Sequence, residues 1–142
     1  MFRVTRGTNQ ITTWVANPTL GANPDTMCPD HEGGFWIGTT TPKFSLEHVL
    51  PNGSLKQLIS GPPFTNYEGL AFVPQLAGDL VFGDVNTSSI RAVNMNAART
   101  GFSAAPRVLI STATGGVHSL EVGPKHRIYF SGPNGIYRLA KS

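Results

Sequence analysis

The 142-residue chain is poor in charge, in cysteine, and in long apolar or helix-forming runs. Charged residues make up 13% of it, with 11 Lys and Arg against 8 Asp and Glu for a net charge of +3. The cations Arg3, Arg6, Lys43, Lys56, Arg91, Arg99 and Arg107 stand singly, and only Lys125-His126-Arg127 forms a short cluster. Nothing here makes the basic stripe that a phosphate backbone requires, so nucleic acid is not an expected partner. A single cysteine, Cys28, excludes an intrachain disulfide and a cysteine-based zinc site. No apolar run approaches the roughly 20 residues of a membrane helix. The start, Met1-Phe2-Arg3-Val4-Thr5-Arg6, has no apolar h-region, so neither a signal peptide nor a membrane partner is expected. A breaker-free run of Ala, Leu, Glu and Lys is missing too, which argues against a helical bundle.

What the chain does have is 16 glycines and 11 prolines, with 39% hydrophobic residues, too many for a disordered protein. Short strands between Gly/Pro turns are the natural reading. Asn52-Gly53 and Asn134-Gly135 are hairpin signals. Asn52-Gly53-Ser54 and Asn86-Thr87-Ser88 fit the glycosylation pattern and are read as turns.

The strands repeat. One unit runs Asp25–Pro29, Gly34–Gly38, Phe44–Val49 and Leu55–Ile59. The next runs Gly69–Pro74, Asp79–Gly83, Ser89–Val93 and Arg107–Ile110, and the third Ser119–Pro124, Arg127–Ser131 and Gly135–Leu139. Pro29, Pro74 and Pro124 close the first strand of each unit, where a proline removes a ladder donor and presets a turn. A period of about 45–50 residues with four short strands per unit is the mark of a β-propeller blade. The expected architecture is therefore all-β: a half blade at 1–17, blades at 23–60 and 66–111, and a partial blade at 117–140.

About three blades fall short of the four to eight of a typical ring. Open blade faces rich in Phe, Ile and Leu would invite association. The expected partner is thus a second copy, in a homodimer completing a six-bladed ring with composite blades. A fragment of a longer propeller is the alternative.

In a propeller the first strand of each blade lines the channel, and the loop leading into it opens at the mouth. Those loops carry Asn23-Pro24-Asp25, Asn66-Tyr67-Glu68 and Val117-His118-Ser119. Carboxylate and amide oxygens suit Ca²⁺ or another divalent ion, and such an ion could polarise a substrate carbonyl beside a carboxylate base. His118 is a candidate general base. Each has a plainer alternative: Asx-turns for Asn23 and Asp25, a solvated rim position for Glu68, a structural role for His118. His31 and His126 are expected in exposed turns, and His48 is expected to face solvent. Trp14, Trp36, Phe82, Tyr129 and Phe130 read as interblade core, and Cys28 as a small buried residue.

The stretch Asn23-Pro-Asp-Thr-Met-Cys-Pro-Asp-His-Glu-Gly-Gly-Phe-Trp-Ile-Gly-Thr39 resembles blades of the SMP-30/gluconolactonase/LRE family, as does Asn66-Tyr-Glu-Gly-Leu-Ala-Phe72 followed by Asp79–Asp84. The second stretch is also similar to NHL-repeat propellers. Val117–Pro124 with Arg127–Ser131 is similar to blades of glucose/sorbosone dehydrogenases. The resemblance implies a metal-dependent lactone or ester hydrolase acting on a small molecule. Asp25 and Asn66 match the family's metal-binding aspartate and asparagine, Glu68 stands in for its glutamate as ligand or base, and Asn23 is a substrate-binding candidate. The family's Glu-Gly-Pro motif is missing, and Thr26 stands where glycine is usual. A non-catalytic propeller binding a small molecule, glycan or protein is the second reading, and an inactive sugar dehydrogenase-like propeller the third.

Overall fold

The computed structural model describes residues 2–5, 7–8, 10–15, 23–40, 45–60, 67–73, 79–98, 101–111 and 115–139. A two-stranded sheet, β1 (Phe2–Thr5) with β2 (Gln10–Thr13), precedes two four-stranded antiparallel blades. Blade 1 is the meander β3 (Pro24–Pro29), β4 (Phe35–Thr39), β5 (Ser45–Val49), β6 (Leu55–Ser60). Blade 2 is β7 (Tyr67–Val73), β8 (Asp79–Asp84), β9 (Ser89–Asn94), β10 (Arg107–Ser111). Blade 3 has three strands, β11 (Ser119–Gly123), β12 (Arg127–Gly132) and β13 (Gly135–Arg138). The chain is thus all-β, in blades of the propeller type. A 3₁₀ turn, Pro124–His126, joins β11 to β12. Among the described residues no helix is long and apolar enough to cross a membrane.

Meanders form here because each connection is punctuated. Gly33 (φ 96°) and Gly53 (φ 83°) occupy left-handed positions in the turns flanking the blade 1 hairpins, where a Cβ would be strained. His31 takes the same region at φ 63°, Lys125 at 58° and His126 at 55°, and all three are exposed in turns, as expected for the two histidines.

Each middle blade is buried on both faces. Cys28, Trp36 and Leu46 of blade 1 pack on Leu70, Phe72, Leu80, Phe82 and Val93 of blade 2. The other face of blade 2, with Ala71, Val73, Val81, Ile90 and Ala92, meets Val117, Leu120, Ile128 and Phe130 of blade 3. Trp14 and Val15, just past β2, cover Ile37 and Val49 on the far side of blade 1, and Trp14 meets Phe35 edge-on at 5.5 Å. The blades come very close: a Cβ on Gly69 would sit 2.7 Å from Leu120 Cβ, and one on Gly83 2.4 Å from Val117 Cγ1.

Three expectations are corrected. His48 does not face solvent but is 3% exposed, because blade 1 is covered on both faces and alternation along β5 finds no wet side. Tyr129 does not pack between blades 2 and 3; it is half-buried on the face of blade 3 turned away from blade 2. That face is not rich in Phe, Ile and Leu either. Its apolar aliphatic residue is Ile136, 80% exposed, beside Ser119, Glu121, Ser131 and Arg138.

Candidate functional site at the channel mouth

The inner strands β3, β7 and β11 run side by side, with β7 between the other two. Their mouth ends carry the candidate residues at one equivalent position. Asp25 precedes Thr26, Glu68 precedes Gly69 and His118 precedes Ser119; these three following residues pair with Gly38, Gly83 and Ser131 on the second strand of each blade.

At two of the three positions the ladder slips. Pro24 pairs with Thr39 and Thr26 with Gly38, so Asp25 is the extra residue of a β-bulge. Tyr67 pairs with Asp84 and Gly69 with Gly83, so Glu68 is the extra residue of another. A bulge frees a side chain from the regular up-down alternation and re-aims it. The two carboxylates consequently sense each other. Partial burial first, and the negative charge of Glu68 second, push the Asp25 carboxyl above its ordinary value.

His118 completes the group. Its Nδ1 lies 2.7 Å from Glu68 Oε2, so the imidazole donates to a carboxylate on the neighbouring blade, while the ring is 46% exposed. A carboxylate that holds one ring nitrogen sets the tautomer and leaves Nε2 to exchange a proton. Asn23 is exposed at the mouth, and its backbone carbonyl accepts a hydrogen bond from the Thr40 N–H at 2.9 Å. Asn66, the expected amide ligand, lies outside the described residues.

The donor chemistry of Asp25 and Glu68 fits a hard divalent cation in type, with two carboxylates near one another. Among the described residues, however, no group of three or more His, Cys, Asp or Glu is placed to hold a metal ion.

A second polar cluster escapes sequence reasoning. His48 Nε2 donates to Asp30 Oδ2 at 2.8 Å, and its ring stacks on Trp36 at a centroid distance of 3.8 Å. Asp30 Oδ1 accepts the backbone N–H groups of Glu32 (2.7 Å) and Gly34 (2.8 Å). The signal that could have found it is Asp30 itself, an Asx-turn residue at the head of a tight hairpin. Because this cluster sits at the end of blade 1 opposite the mouth, it holds the blade together and does not belong to the site. Cys28 is 6% exposed, and burial pushes its thiol pKa up, so it is an inert core residue as expected.

Repeated antiparallel blades whose inner strands bring polar side chains to one mouth define a β-propeller protein. Three solved structures share this fold. A luciferin-regenerating enzyme superposes with a TM-score of 0.74 at 18% identity, over 92% of this chain and 47% of that one. A protein provisionally designated a gluconolactonase gives 0.70 at 22% identity, over 84% and 45%. A regucalcin from Agrobacterium tumefaciens strain C58, described as a calcium-binding protein, gives 0.69 at 20%, over 96% and 52%. The chain spans about half the length of these structures. At the level of fold they are the SMP-30/gluconolactonase-type propellers that the blade motifs resemble. No protein-family model and no curated protein matches the chain.

Proposed function

We propose that the channel mouth is the ligand site of a gluconolactonase-type propeller and that it hydrolyses a small lactone or ester with the help of a divalent cation such as calcium. The observation that carries this reading is the placement of Asp25, Glu68 and His118 at one equivalent position of three adjacent blades, two of them on bulges. Asp25 and Glu68 would hold the cation, with Asn66 as the third donor. A bound cation would polarise the substrate carbonyl as a Lewis acid. His118, oriented by Glu68, takes a proton from water at Nε2 and returns it to the leaving alcohol, while Asn23 at the rim contacts the substrate. The calcium-binding description of the regucalcin and the designation of the gluconolactonase support the same reading.

Millimolar Ca²⁺ or Zn²⁺ is expected to raise the melting temperature, and Asp25→Ala to abolish the rise. His118→Ala should lower kcat for lactone or ester hydrolysis by roughly 10²–10⁴-fold, the usual worth of a general base. No shift with any divalent ion together with no turnover would remove the reading. The lack of a three-donor group among the described residues favours a second one, a mouth that binds a small molecule without turning it over. Ligand binding that survives chelation, with no hydrolysis, would select it.

A further inference from the structure

The hydrogen bond from His118 to Glu68 joins residues 50 apart in sequence, on different blades. It forms only if the loop before β11 lies close against blade 2, and the ladder of blade 2 shows what lets it. Gly69, which follows Glu68, pairs directly across with Gly83 on β8, so two neighbouring positions of one face carry no side chain. The segment of blade 3 that bears His118 rests on this bare pair at both of its ends. A Cβ on Gly83 would stand 2.4 Å from Val117 Cγ1 and 2.8 Å from Val117 Cβ. A Cβ on Gly69 would stand 2.7 Å from Leu120 Cβ and 2.8 Å from the Leu120 backbone nitrogen. His118 lies between the two contacts in sequence. Val117 is fully buried, and the His118 N–H donates to the Ser131 carbonyl at 2.9 Å, which ties the loop to the second strand of its own blade.

Neither glycine has a positive φ, so the backbone would accept any L-residue and space alone requires glycine. The blade repeat does not require it either: the corresponding pair in blade 1 is Thr26 with Gly38.

We propose that Gly69 and Gly83 are positioning residues of the mouth, a seat that sets the reach between His118 and Glu68 and thereby the tautomer of the imidazole. Ordinary contacts to a Cβ begin at 3.4 Å. A methyl group on Gly69 therefore displaces Leu120 by about 0.7 Å, from 2.7 to 3.4 Å, and one on Gly83 displaces Val117 by about 1 Å, from 2.4 to 3.4 Å. Either displacement carries Nδ1 and Oε2, now 2.7 Å apart, beyond the roughly 2.7–3.2 Å of an N–H···O hydrogen bond. Which ring nitrogen holds the proton is set by the hydrogen bond the ring makes. A ring released from Glu68 carries its proton mainly on Nε2, and that blocks the lone pair through which His118 could take up another. The seat does this whether the mouth hydrolyses a substrate or only binds one, so the inference does not rest on the hydrolase reading.

Nitrogen-15 magnetic resonance of the 142-residue chain at about pH 9, where an ordinary imidazole is neutral, reads the tautomer without any turnover. His118→Gln identifies the His118 ring signals among the four histidines. In the wild type His118 should be in the Nδ1–H form, and Gly83→Ala and Gly69→Ala should each shift it mainly to Nε2–H. Ile37→Val loosens the core on the far side of blade 1 and should keep the Nδ1–H form, so that lost stability by itself does not mimic the effect. Should Gly83→Ala, with the closer contact, not fold, Gly69→Ala carries the test. A folded glycine variant that keeps the Nδ1–H form would overturn the seat, as would a wild type already in the Nε2–H form or an equal shift in Ile37→Val.

Discussion

The buried, hydrogen-bonded pair of Asp30 and His48 is the residue-scale feature with the largest expected effect. Both side chains are almost fully removed from water, at 1% and 3% exposure. Burial by itself raises the Asp30 carboxyl, but the His48 hydrogen bond and the N–H groups of Glu32 and Gly34 outweigh it and hold its pKa below the ordinary 3.8. A carboxylate with a depressed folded pKa contributes stability that is complete above the unfolded value and is lost as pH falls through the folded one. The contribution should therefore be intact above about pH 4 and disappear below it. Asp30→Ala leaves His48 stacked on Trp36 and the Glu32 and Gly34 N–H groups without their acceptor and should cost about 1–3 kcal/mol, the usual penalty of a buried hydrogen-bonding group left unsatisfied. Urea unfolding checks both parts: the wild type should lose stability below pH 4 more steeply than Asp30→Asn, and parallel pH profiles would contradict the assignment. At this scale the sequence was least legible. Period-2 alternation correctly put Leu46 and His48 on one face, but which face is wet depends on what covers the blade, and the partner lies 18 residues away. Asp25, Glu68 and His118 were legible because blade grammar places the mouth loops, whereas the bulges that turn the two carboxylates together depend on ladder register.

At the scale of the elements, the strand order and nearly all strand bounds follow from turn residues and the repeat. Ser119–Pro124 as read from sequence and the observed β11, Ser119–Gly123, differ by one residue. Polarity by itself hides how near the blades approach. Gly69 is not in a left-handed conformation, and a turn-based reading gives it no special duty. Its requirement is space, since a methyl group there meets Leu120 Cβ at 2.7 Å and the Ser119 carbonyl carbon at 2.9 Å. Backbone cannot yield as a flexible side chain does, so Gly69→Ala must push blades 2 and 3 apart. Overpacking of this kind costs roughly 1–3 kcal/mol. Gly101→Ala is the control: the nearest atom to its added methyl is 3.6 Å away, an ordinary contact, so its midpoint should move by less than about 0.5 kcal/mol. Equal midpoints for the two variants in chemical denaturation would show that the blade contact is looser than the geometry requires.

At the scale of the whole molecule, stacked blades contact only their neighbours, so stability is a sum of blade and interface contributions and need not be lost in one step. Blade 2 is clamped from both sides, through Leu70, Phe72 and Phe82 toward blade 1 and through Ala71, Val73 and Val81 toward blade 3. Among the described residues of this chain, blade 3 is held from one side, by Val117, Leu120, Ile128 and Phe130. Detaching it forfeits about 1.5–3 kcal/mol for each of the larger apolar side chains that returns to water. Detaching blade 3 breaks only its own contacts whereas global unfolding breaks those of every blade, so the detachment lies below global unfolding in free energy. Native-state hydrogen exchange should accordingly report β12 amides exchanging through a sub-global opening, with a smaller denaturant slope than β8 amides. Phe130→Ala should lower that opening energy further by removing its main anchor, at a cost of about 3–5 kcal/mol, while leaving the slope for β4 unchanged. A common free energy and a common slope for β4, β8 and β12 would mean that the three blades open as one unit. In that case the one-sided contact of blade 3 is enough to couple it fully to the rest.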